Sequence, residues 1–589
     1  MDHKEQLAGI AEMYAQLPLS ACDNIRLLRL QGGQFYTPLV GTLIVGDMTE
    51  KSGKHTYDAL SYAWGAATLR RRLLLIGPKQ SQKYALPITD NLYTALRRLR
   101  HSWMPRVIWV DAICINQDDV KERSQQVGSM RFIYGWAKNV YVWLGDAELP
   151  GRADRYALRF DRALKPDAVI ESLRAPRSSP SRTFSAFVSM LNTALPQTSP
   201  SWHTRAWVYQ EYHLARNIVW CIGPYQQKYT KLEFAKLSHL AYQYRPTEDL
   251  KSFKDAVLQL SAPFTQRGIS TFAWSFEVDP RKSKGAQMSV HTHAAITQNM
   301  RCRYAMDKVY SLLGVMDFQS SAQMRPDYSK SSSWVFAEAT WLSLEMSHDF
   351  AVLLNARGVA SPVAPADLPS WAFDSVNGLF YHFPSSCGSL FEIWLGSDLP
   401  DPSPRLSDDH KELRLNGSAM DSITHASQET IDADTPNIST YERFVAMAGA
   451  LAEQEAWRGQ KRPKIRAWPP IDVQTRIASG SAFPIDVEAW NDIFPLSRVS
   501  KEHADHLGEP VAWASCVTMF VTAGGHLGLT TAACAREDVV FVVKGCPYPL
   551  IICKLGERYA FRGCAYIPAY SYQDFSTTIM ESPCNIALV

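Results

Sequence analysis

The chain has 589 residues, of which 46% are hydrophobic and 20% are charged, a composition typical of soluble globular proteins. A chain of this length exceeds what one core supports and predicts roughly three or four domains. The net charge of +3 is too small to indicate a nucleic-acid-binding protein, and no run of apolar residues is long enough to predict a membrane span.

The cysteines indicate a reducing environment. Eleven of them are scattered without a C-x-x-C pair, and Cys114, Cys221 and Cys553 lie within apolar segments, where a reduced cysteine acts as a small hydrophobe. The N-terminus also lacks the apolar core of a secretion signal. These features predict a cytoplasmic location.

The first half of the chain predicts alternating strands and helices. Residues 1–50 predict a lead-in with strands near 24–30 and 40–45. A short strand then ends in Ser61-Tyr62-Ala63-Trp64-Gly65, where glycine permits close approach of the backbone. After a strand at 73–76, Thr89 or Asp90 predicts the start of an amphipathic helix.

The segment 106–145 predicts a strand–helix–strand unit. Its two strands are continuously apolar, which is typical of a parallel sheet covered on both faces. In such sheets ligands bind beyond the carboxyl ends of the strands, and Asp111 and Asn116 lie at that edge.

A second helix, over residues 204–215, places Trp207 and Glu211 four residues apart on one face, and a strand at 217–223 follows. The alternation from 57 to 223 predicts an open α/β sheet.

In the remainder of the chain, the predicted secondary structure changes twice. Residues 226–400 predict a mainly helical middle region, and residues 401–510 a linker and helical region. From 511 to 589, short strands separated by glycine and proline predict a small antiparallel barrel or sandwich.

Five ordered blocks of residues resemble the heterokaryon incompatibility (HET) domain of filamentous fungi. They are Tyr57-x-Ala59-Leu60-Ser61-Tyr62-x-Trp64-Gly65, Trp109-x-Asp111-Ala112-Ile113-Cys114-Ile115-Asn116-Gln117, Glu122-Arg123-Ser124-x-Gln126-Val127, Val142-Trp143-Leu144-Gly145 and Arg205-x-Trp207-Val208-x-Gln210-Glu211. Later segments, such as Asp307-Lys308-Val309-Tyr310 and Pro326-Asp327-Tyr328, are similar to the usual tail of full-length members. The resemblance assigns residues 51–225 to a HET domain with an insertion at about 148–200.

This resemblance implies a role in non-self recognition during hyphal fusion and in programmed cell death. HET domains are also considered remote relatives of TIR domains, which have a flavodoxin-like parallel sheet and some of which cleave NAD at the nicotinamide–ribose bond. On this view, the segment from Trp207 to Glu211 is similar to the TIR helix in which a tryptophan precedes the catalytic glutamate by four residues.

The resemblance therefore implies a candidate site for NAD as a substrate. Glu211 would be the catalytic carboxylate that stabilises an oxocarbenium-like ribose, and Trp207 or Trp64 would stack on a base. The residues expected to orient ribose hydroxyls and phosphates are Ser61, Tyr62, Trp64, Gly65, Asp111 and Asn116. No metal is predicted, because His291 and His293 lack ligand partners at the usual spacing. No cofactor is predicted either, because no P-loop or G-x-G-x-x-G turn appears.

Structural interpretations of the same residues remain open. The alternative for Glu211 is a solvated glutamate or a partner of Arg205 or Arg216. The alternative for Trp207, which the sequence favours, is a core residue, and the alternative for Asp111 is a cap of the turn after its strand. Three functions are consistent with the sequence: an NAD-hydrolysing cell-death effector, a non-enzymatic signalling module that acts through self-association or protein partners, and a HET-like protein recruited as an enzyme of a metabolic pathway. An open pocket around Glu211 would favour an enzyme, whereas an arginine-paired Glu211 beneath a packed surface would favour the module.

Overall fold

The chain divides into two compact units in a computed structural model. The first comprises Met1–Met288 and Asn299–Ser329, and the second comprises Ser289–Gln298 and Lys330–Val589. The structure describes residues 3–20, 23–47, 57–65, 68–77, 82–146, 202–229, 297, 300–316, 324–348, 350–356, 358, 367–373, 399–427, 518–524, 527–530, 533–546, 548–567 and 584–589. The predicted insertion at about 148–200 and much of the predicted helical middle region lie outside these residues.

The described part of the first unit is built on a nine-stranded sheet. Its strands are β1 (Asn24–Leu30), β2 (Val40–Asp47), β3 (Asp58–Tyr62), β4 (Arg71–Ile76), β5 (Lys83–Ile88), β6 (Arg106–Trp109), β7 (Val140–Gly145), β8 (Ile218–Ile222) and β9 (Tyr225–Tyr229). The strands are ordered β5-β4-β2-β1-β6-β3-β7-β8-β9 across the sheet.

Four neighbouring strands, β6-β3-β7-β8, run parallel and form the centre of this sheet. When these four strands are numbered 1 to 4 by their order along the chain, their order across the sheet is 2-1-3-4. β1 is antiparallel to β6 on one side, and β9 is antiparallel to β8 on the other. The predicted α/β sheet is confirmed, but it is mixed rather than wholly parallel. Strands β1 and β2, predicted as part of a separate lead-in, lie within it.

The helices of this unit follow from their caps and apolar faces. Helix α1 (His3–Ala15) precedes the sheet, and α2 (Asp90–Leu99) begins where the side chain of Thr89 accepts a hydrogen bond from Leu92 N at 3.3 Å, as predicted. Leu92, Leu96 and Leu99 of α2 are at most 1% exposed, and burying each such side chain contributes about 1.5–3 kcal/mol.

Three further helices position the candidate site. The short helix α3 (Asp111–Cys114) follows β6 directly, and α4 (Val120–Trp136) begins after Asp119, whose carboxylate accepts hydrogen bonds from two backbone N–H groups of its first turn. Helix α5 (Ala206–Leu214) follows a 3₁₀ turn, Trp202–Thr204, and precedes β8. Residues 300–316 belong to the same unit and contain the short helix α6 (Asp307–Tyr310).

The second unit contains helix α7 (Ser332–Met346) and a separate, largely antiparallel sheet. Its strands are β10 (Arg405–Leu406), β11 (Leu413–Ala426), β12 (Thr518–Thr522), β13 (Leu527–Thr530), β14 (Val539–Val542), β15 (Leu550–Leu555), β16 (Arg558–Tyr566) and β17 (Cys584–Leu588). The order β11-β12-β13-β16-β15-β14 closes on itself, because β14 also pairs with β11. The predicted C-terminal antiparallel sheet is confirmed, and of the barrel and the sandwich left open by the sequence, the closed order is that of a barrel. The sheet encloses an apolar cluster that includes Ile423, Phe520 and Ile551.

The barrel begins earlier in the chain than predicted. The sequence interpretation gave 401–510 to a linker and helical region, whereas described residues 405–406 and 413–426 are strands of this sheet. Polar residues at inward positions, such as the 1%-exposed Ser418, obscure the alternation that would have indicated a strand. Among the described helices, none combines the length and apolar character needed to cross a bilayer.

Candidate functional site

The candidate site lies at the carboxyl ends of β3 and β6. Because these strands are parallel neighbours, Ser61 and Tyr62 at the end of β3 lie beside Asp111, which follows β6. Gly65 turns the chain away from β3 with a φ of +74°, a conformation that glycine adopts without strain. Helix α5 brings Glu211 to the same edge.

Glu211 is held by a chain of hydrogen bonds inside the unit. Its side chain is 1% exposed, and its Oε2 atom accepts a hydrogen bond from the hydroxyl of Ser61. The indole N–H of Trp202, from the turn before α5, donates in its turn to Ser61 Oγ at 2.7 Å. Both the hydroxyl and the carboxylate therefore have fixed partners.

Arg205 lies between the two carboxylates of the site. Its guanidinium is 3.9 Å from Asp111 Oδ2 and 4.0 Å from Glu211 Oε1, and it donates a hydrogen bond to the carbonyl of Tyr62. The planar guanidinium presents several donors in fixed directions, so one arginine can serve two carboxylates and a carbonyl together.

Asp111 is fixed by the strand exit on its other side. Its Oδ2 atom accepts a hydrogen bond from the indole of Trp64 at 2.7 Å, and Oδ1 accepts one from the backbone N–H of Ala112 at 2.7 Å. The bond to Ala112 links this carboxylate to the first turn of α3, where Val110 rather than Asp111 is the N-cap residue. Trp64 binds the carboxylate through its indole N–H.

Burial dominates the electrostatics of this cluster. It raises the pKa of Glu211 to about 7, more than the positive charge of Arg205 and the Ser61 hydrogen bond lower it. Burial likewise raises the pKa of Tyr62, whose hydroxyl hydrogen-bonds Asp111. Burial lowers the pKa of Arg205, but Glu211 and Asp111 outweigh it, so the net shift is upward. Glu211 therefore changes its protonation near neutral pH.

Six of the predicted site residues come together here: Ser61, Tyr62, Trp64, Gly65, Asp111 and Glu211. We refer to Ser61, Trp64, Asp111, Arg205 and Glu211 as the strand-end cluster. Because Glu211 is occluded and paired with Arg205, a ligand reaches its carboxylate only if the cluster rearranges.

Two predicted residues have other partners. Trp207 shares a helix face with Glu211, but its indole N–H hydrogen-bonds the carboxylate of Asp307. Asn116 donates its backbone N–H to Glu122 at 2.7 Å and lines a cleft of about 400 Å³. The lining of that cleft includes Tyr14 and Arg26 but not Glu211.

Sequence reasoning missed part of the support for α5. The backbone N–H of Ala206 donates to the carbonyl of Arg301 at 2.9 Å, and Arg301 N–H donates to the carbonyl of Thr204. Tyr328 donates its hydroxyl to Asp307 at 2.7 Å. The signal was available, because the Asp307 and Tyr328 segments were among those that resemble full-length HET proteins. In the described part of the chain, no group of three or more histidine, cysteine, aspartate and glutamate side chains is placed to hold a metal.

Fold and site together define an α/β domain with an arginine-bridged acidic cluster at the ends of its parallel strands. Residues 57–211, which include the whole strand-end cluster, match the family described as heterokaryon incompatibility protein (HET). The segment 57–211 of this chain therefore matches the HET domain.

A curated relative extends the similarity beyond this domain. The chain is 26% identical over 430 residues to heterokaryon incompatibility protein 6, OR allele, of Neurospora crassa. The alignment covers 62% of this chain and 59% of that protein. No solved structure matches the chain significantly.

Proposed function

We propose that this chain acts in fungal non-self recognition and programmed cell death. The observation that carries the proposal is the HET match over 57–211, together with the similarity to a protein named for heterokaryon incompatibility. The cytoplasmic location expected from the cysteines belongs to the same proposal.

The geometry best supports action as a signalling module, through protein partners or self-association. Glu211 is 1% exposed, bonded to Ser61 and paired with Arg205, so in this arrangement the strand-end cluster stabilises the end of the sheet. Buried polar networks with satisfied partners commonly fix one arrangement of a core. Recognition would then depend on the surface of the domain.

NAD glycohydrolysis by a rearranged cluster is the second candidate. Numbered by their order along the chain, the four parallel strands lie in the order 2-1-3-4, which supports the flavodoxin-like fold expected of a TIR relative. The raised pKa of Glu211, at a strand-end site beside Ser61 and Asp111, also supports a functional carboxylate.

The chemistry would need one carboxylate and one water. The ribose C1′–N bond breaks and its electron pair leaves with nicotinamide, which departs neutral. Glu211, once ionised and exposed, would stabilise the oxocarbenium-like ribose, and water would add at C1′ with release of a proton. No group of the chain need protonate the leaving nicotinamide.

One set of variants separates the two candidates. Wild type, Glu211→Gln and a matched Glu338→Gln in α7 of the second unit would be expressed in a filamentous fungus and also purified. The measurements are death of hyphal compartments and nicotinamide release from NAD over a range of protein concentrations. The module predicts death without nicotinamide release, and with Glu211→Gln still active.

The glycohydrolase predicts release that Glu211→Gln reduces at least about a hundredfold and Glu338→Gln leaves unchanged. Equal release by wild type and Glu211→Gln would contradict the catalytic assignment. If wild-type expression neither kills hyphae nor prevents fusion between strains that differ in this protein, the proposed role in non-self recognition is wrong.

A further inference from the structure

Two adjacent loops of the first unit present large apolar side chains to solvent. On the loop between β1 and β2, Tyr36 is 89% exposed. On the loop between α2 and β6, Trp103 is 79% exposed and Met104 is 43% exposed. Exposed apolar side chains that cluster in this way commonly mark an interaction surface.

The loops are held together rather than loose. The guanidinium of Arg100 donates to the carbonyls of Gln34, Thr37 and Pro38, and Gly33 N–H donates to the carbonyl of His101 at 3.0 Å. Gly32 lies so close to the second loop that a Cβ atom there would be 2.7 Å from the carbonyl carbon of Trp103. Tyr36 and Trp103 are therefore displayed by a fixed scaffold.

Arginines of α2 lie against the aromatic rings of the first of these loops. The guanidinium carbon of Arg97 lies 4.0 Å from the centre of the Phe35 ring and 5.7 Å from that of Tyr36, and that of Arg98 lies 4.5 Å from the centre of Phe35. Arg97 also contacts the ring of Tyr93, as does Arg71.

The charge of this region is positive on balance. Asp90 pairs with Arg71 and Asp146 pairs with Arg98. Arg71 and Arg98 are thereby neutralised, and Arg97 and Arg100 supply an excess of two positive charges. Arg100 is buried, so Arg97 provides the accessible charge. The partner of such a surface is expected to be anionic.

We propose that Tyr36, Trp103, Met104 and Arg97 form a docking surface for an anionic lipid bilayer. Tryptophan and tyrosine favour the membrane–water interface, and arginines beside them attract anionic headgroups. The apolar side chains protrude from loop tips, which suits a fluid interface that has no shape to match. An acidic protein would more naturally meet them with a pocket for each ring. This surface does not depend on whether the strand-end cluster hydrolyses NAD.

Flotation of the purified full-length chain with vesicles tests the proposal. One vesicle preparation is pure phosphatidylcholine, and the other contains about one third phosphatidylserine. We expect binding to the anionic vesicles that decreases as salt increases. The double variant Tyr36→Ser/Trp103→Ser should bind at least about tenfold more weakly. Arg97→Gln should bind about fivefold more weakly, because a basic residue near an anionic surface contributes roughly 1 kcal/mol.

Trp136→Ser provides the matched control. Trp136 is also a partly exposed tryptophan beside an arginine, Arg216, but it lies on α4. This variant should bind like wild type, and circular dichroism should show that every variant is folded. Failure of the wild type to bind anionic vesicles at low salt would overturn the proposal. Unchanged binding by the double variant would overturn it equally, and an acidic protein would then be the candidate occupant.

Discussion

Burial in the folded domain destabilises the ionised form of the Glu211 carboxylate. Burial raises its pKa to about 7, although Arg205 and the Ser61 hydroxyl both favour the ionised form. Arg205 cannot neutralise it fully, because the same guanidinium also lies 3.9 Å from Asp111. The protonation of one side chain therefore enters the stability of the whole domain.

The sign of the resulting pH dependence follows from linkage. A solvated glutamate has a pKa of 4.5, so between pH 4.5 and about 7 the folded chain retains a proton that the unfolded chain has released. The free energy of unfolding should therefore decrease as pH rises through this window and stay low above it. The shift corresponds to a change of at most about 3 kcal/mol. Urea unfolding of the chain at pH 5 and pH 8, followed by fluorescence, measures this change.

Glu211→Gln should remove most of this slope, because glutamine has no proton to lose yet can still accept the Ser61 hydrogen bond. The control is Asp90→Asn, which changes a carboxylate at the start of α2 whose side chain is 51% exposed. A wild-type chain equally stable at both pH values, or a slope that survives in Glu211→Gln, would show that the carboxylate is not buried in this way.

At the scale of elements, α5 depends on a segment that comes much later in the chain. Residues 300–316 bond the first turn of α5 through Arg301 and contact its middle through Gly314. A Cβ atom on Gly314 would be 2.6 Å from Gln210 Nε2 and 3.0 Å from Arg131 Cβ. Gln210 is 2% exposed, so its amide has little room to move aside. The helix that contains Glu211 is thus positioned partly by a glycine outside the matched family segment.

Gly314→Ala should therefore destabilise the first unit by about 1–3 kcal/mol through overpacking. The matched control is Gly9→Ala in α1, where a Cβ atom would lie 3.6 Å from the nearest atom of Tyr84, at ordinary contact distance. That substitution should stabilise the helix slightly, by up to about 1 kcal/mol, because alanine favours helix over glycine. Thermal unfolding of both variants measures the difference, and equal effects of the two would refute the close packing at Gly314.

Local patterns predicted the elements of the first unit well but not their long-range partners. The apolar strands and the Thr89 helix cap could be predicted from the sequence, because each depends on residues that are close together in the chain. The strand-end cluster was also predictable in outline, since parallel strands end at one edge of a sheet. The spacing of Trp207 and Glu211 gave a shared face, yet it could not show that Trp207 bonds Asp307. Likewise, the pairing of β1 with β6 depends on residues far apart in sequence.

At the scale of the whole molecule, the first compact unit includes more of the chain than the family match covers. The match ends at residue 211, whereas the first compact unit also includes β8, β9 and Asn299–Ser329. The last of these contributes the Arg301 backbone bonds to α5 and the Asp307 carboxylate that accepts the indole hydrogen bond of Trp207. By contrast, the barrel of the second unit closes on its own strands.

Two fragments test how far the folding unit extends. A fragment ending at Ser329 contains every described contact of α5 within the unit, and a fragment ending at Met288 lacks the segment that carries Arg301, Asp307 and Gly314. Without that segment, backbone groups at the start of α5 lose their partners, and Gln210 and Trp207 lose their buried contacts. We expect the shorter fragment to be less stable by about 3 kcal/mol or more in urea unfolding. It should also lose the pH dependence assigned to Glu211, because α5 would no longer keep that carboxylate buried away from water. If the two fragments unfold at the same urea concentration with the same pH dependence, residues 299–329 are not part of the folding unit, and the support proposed for α5 is wrong.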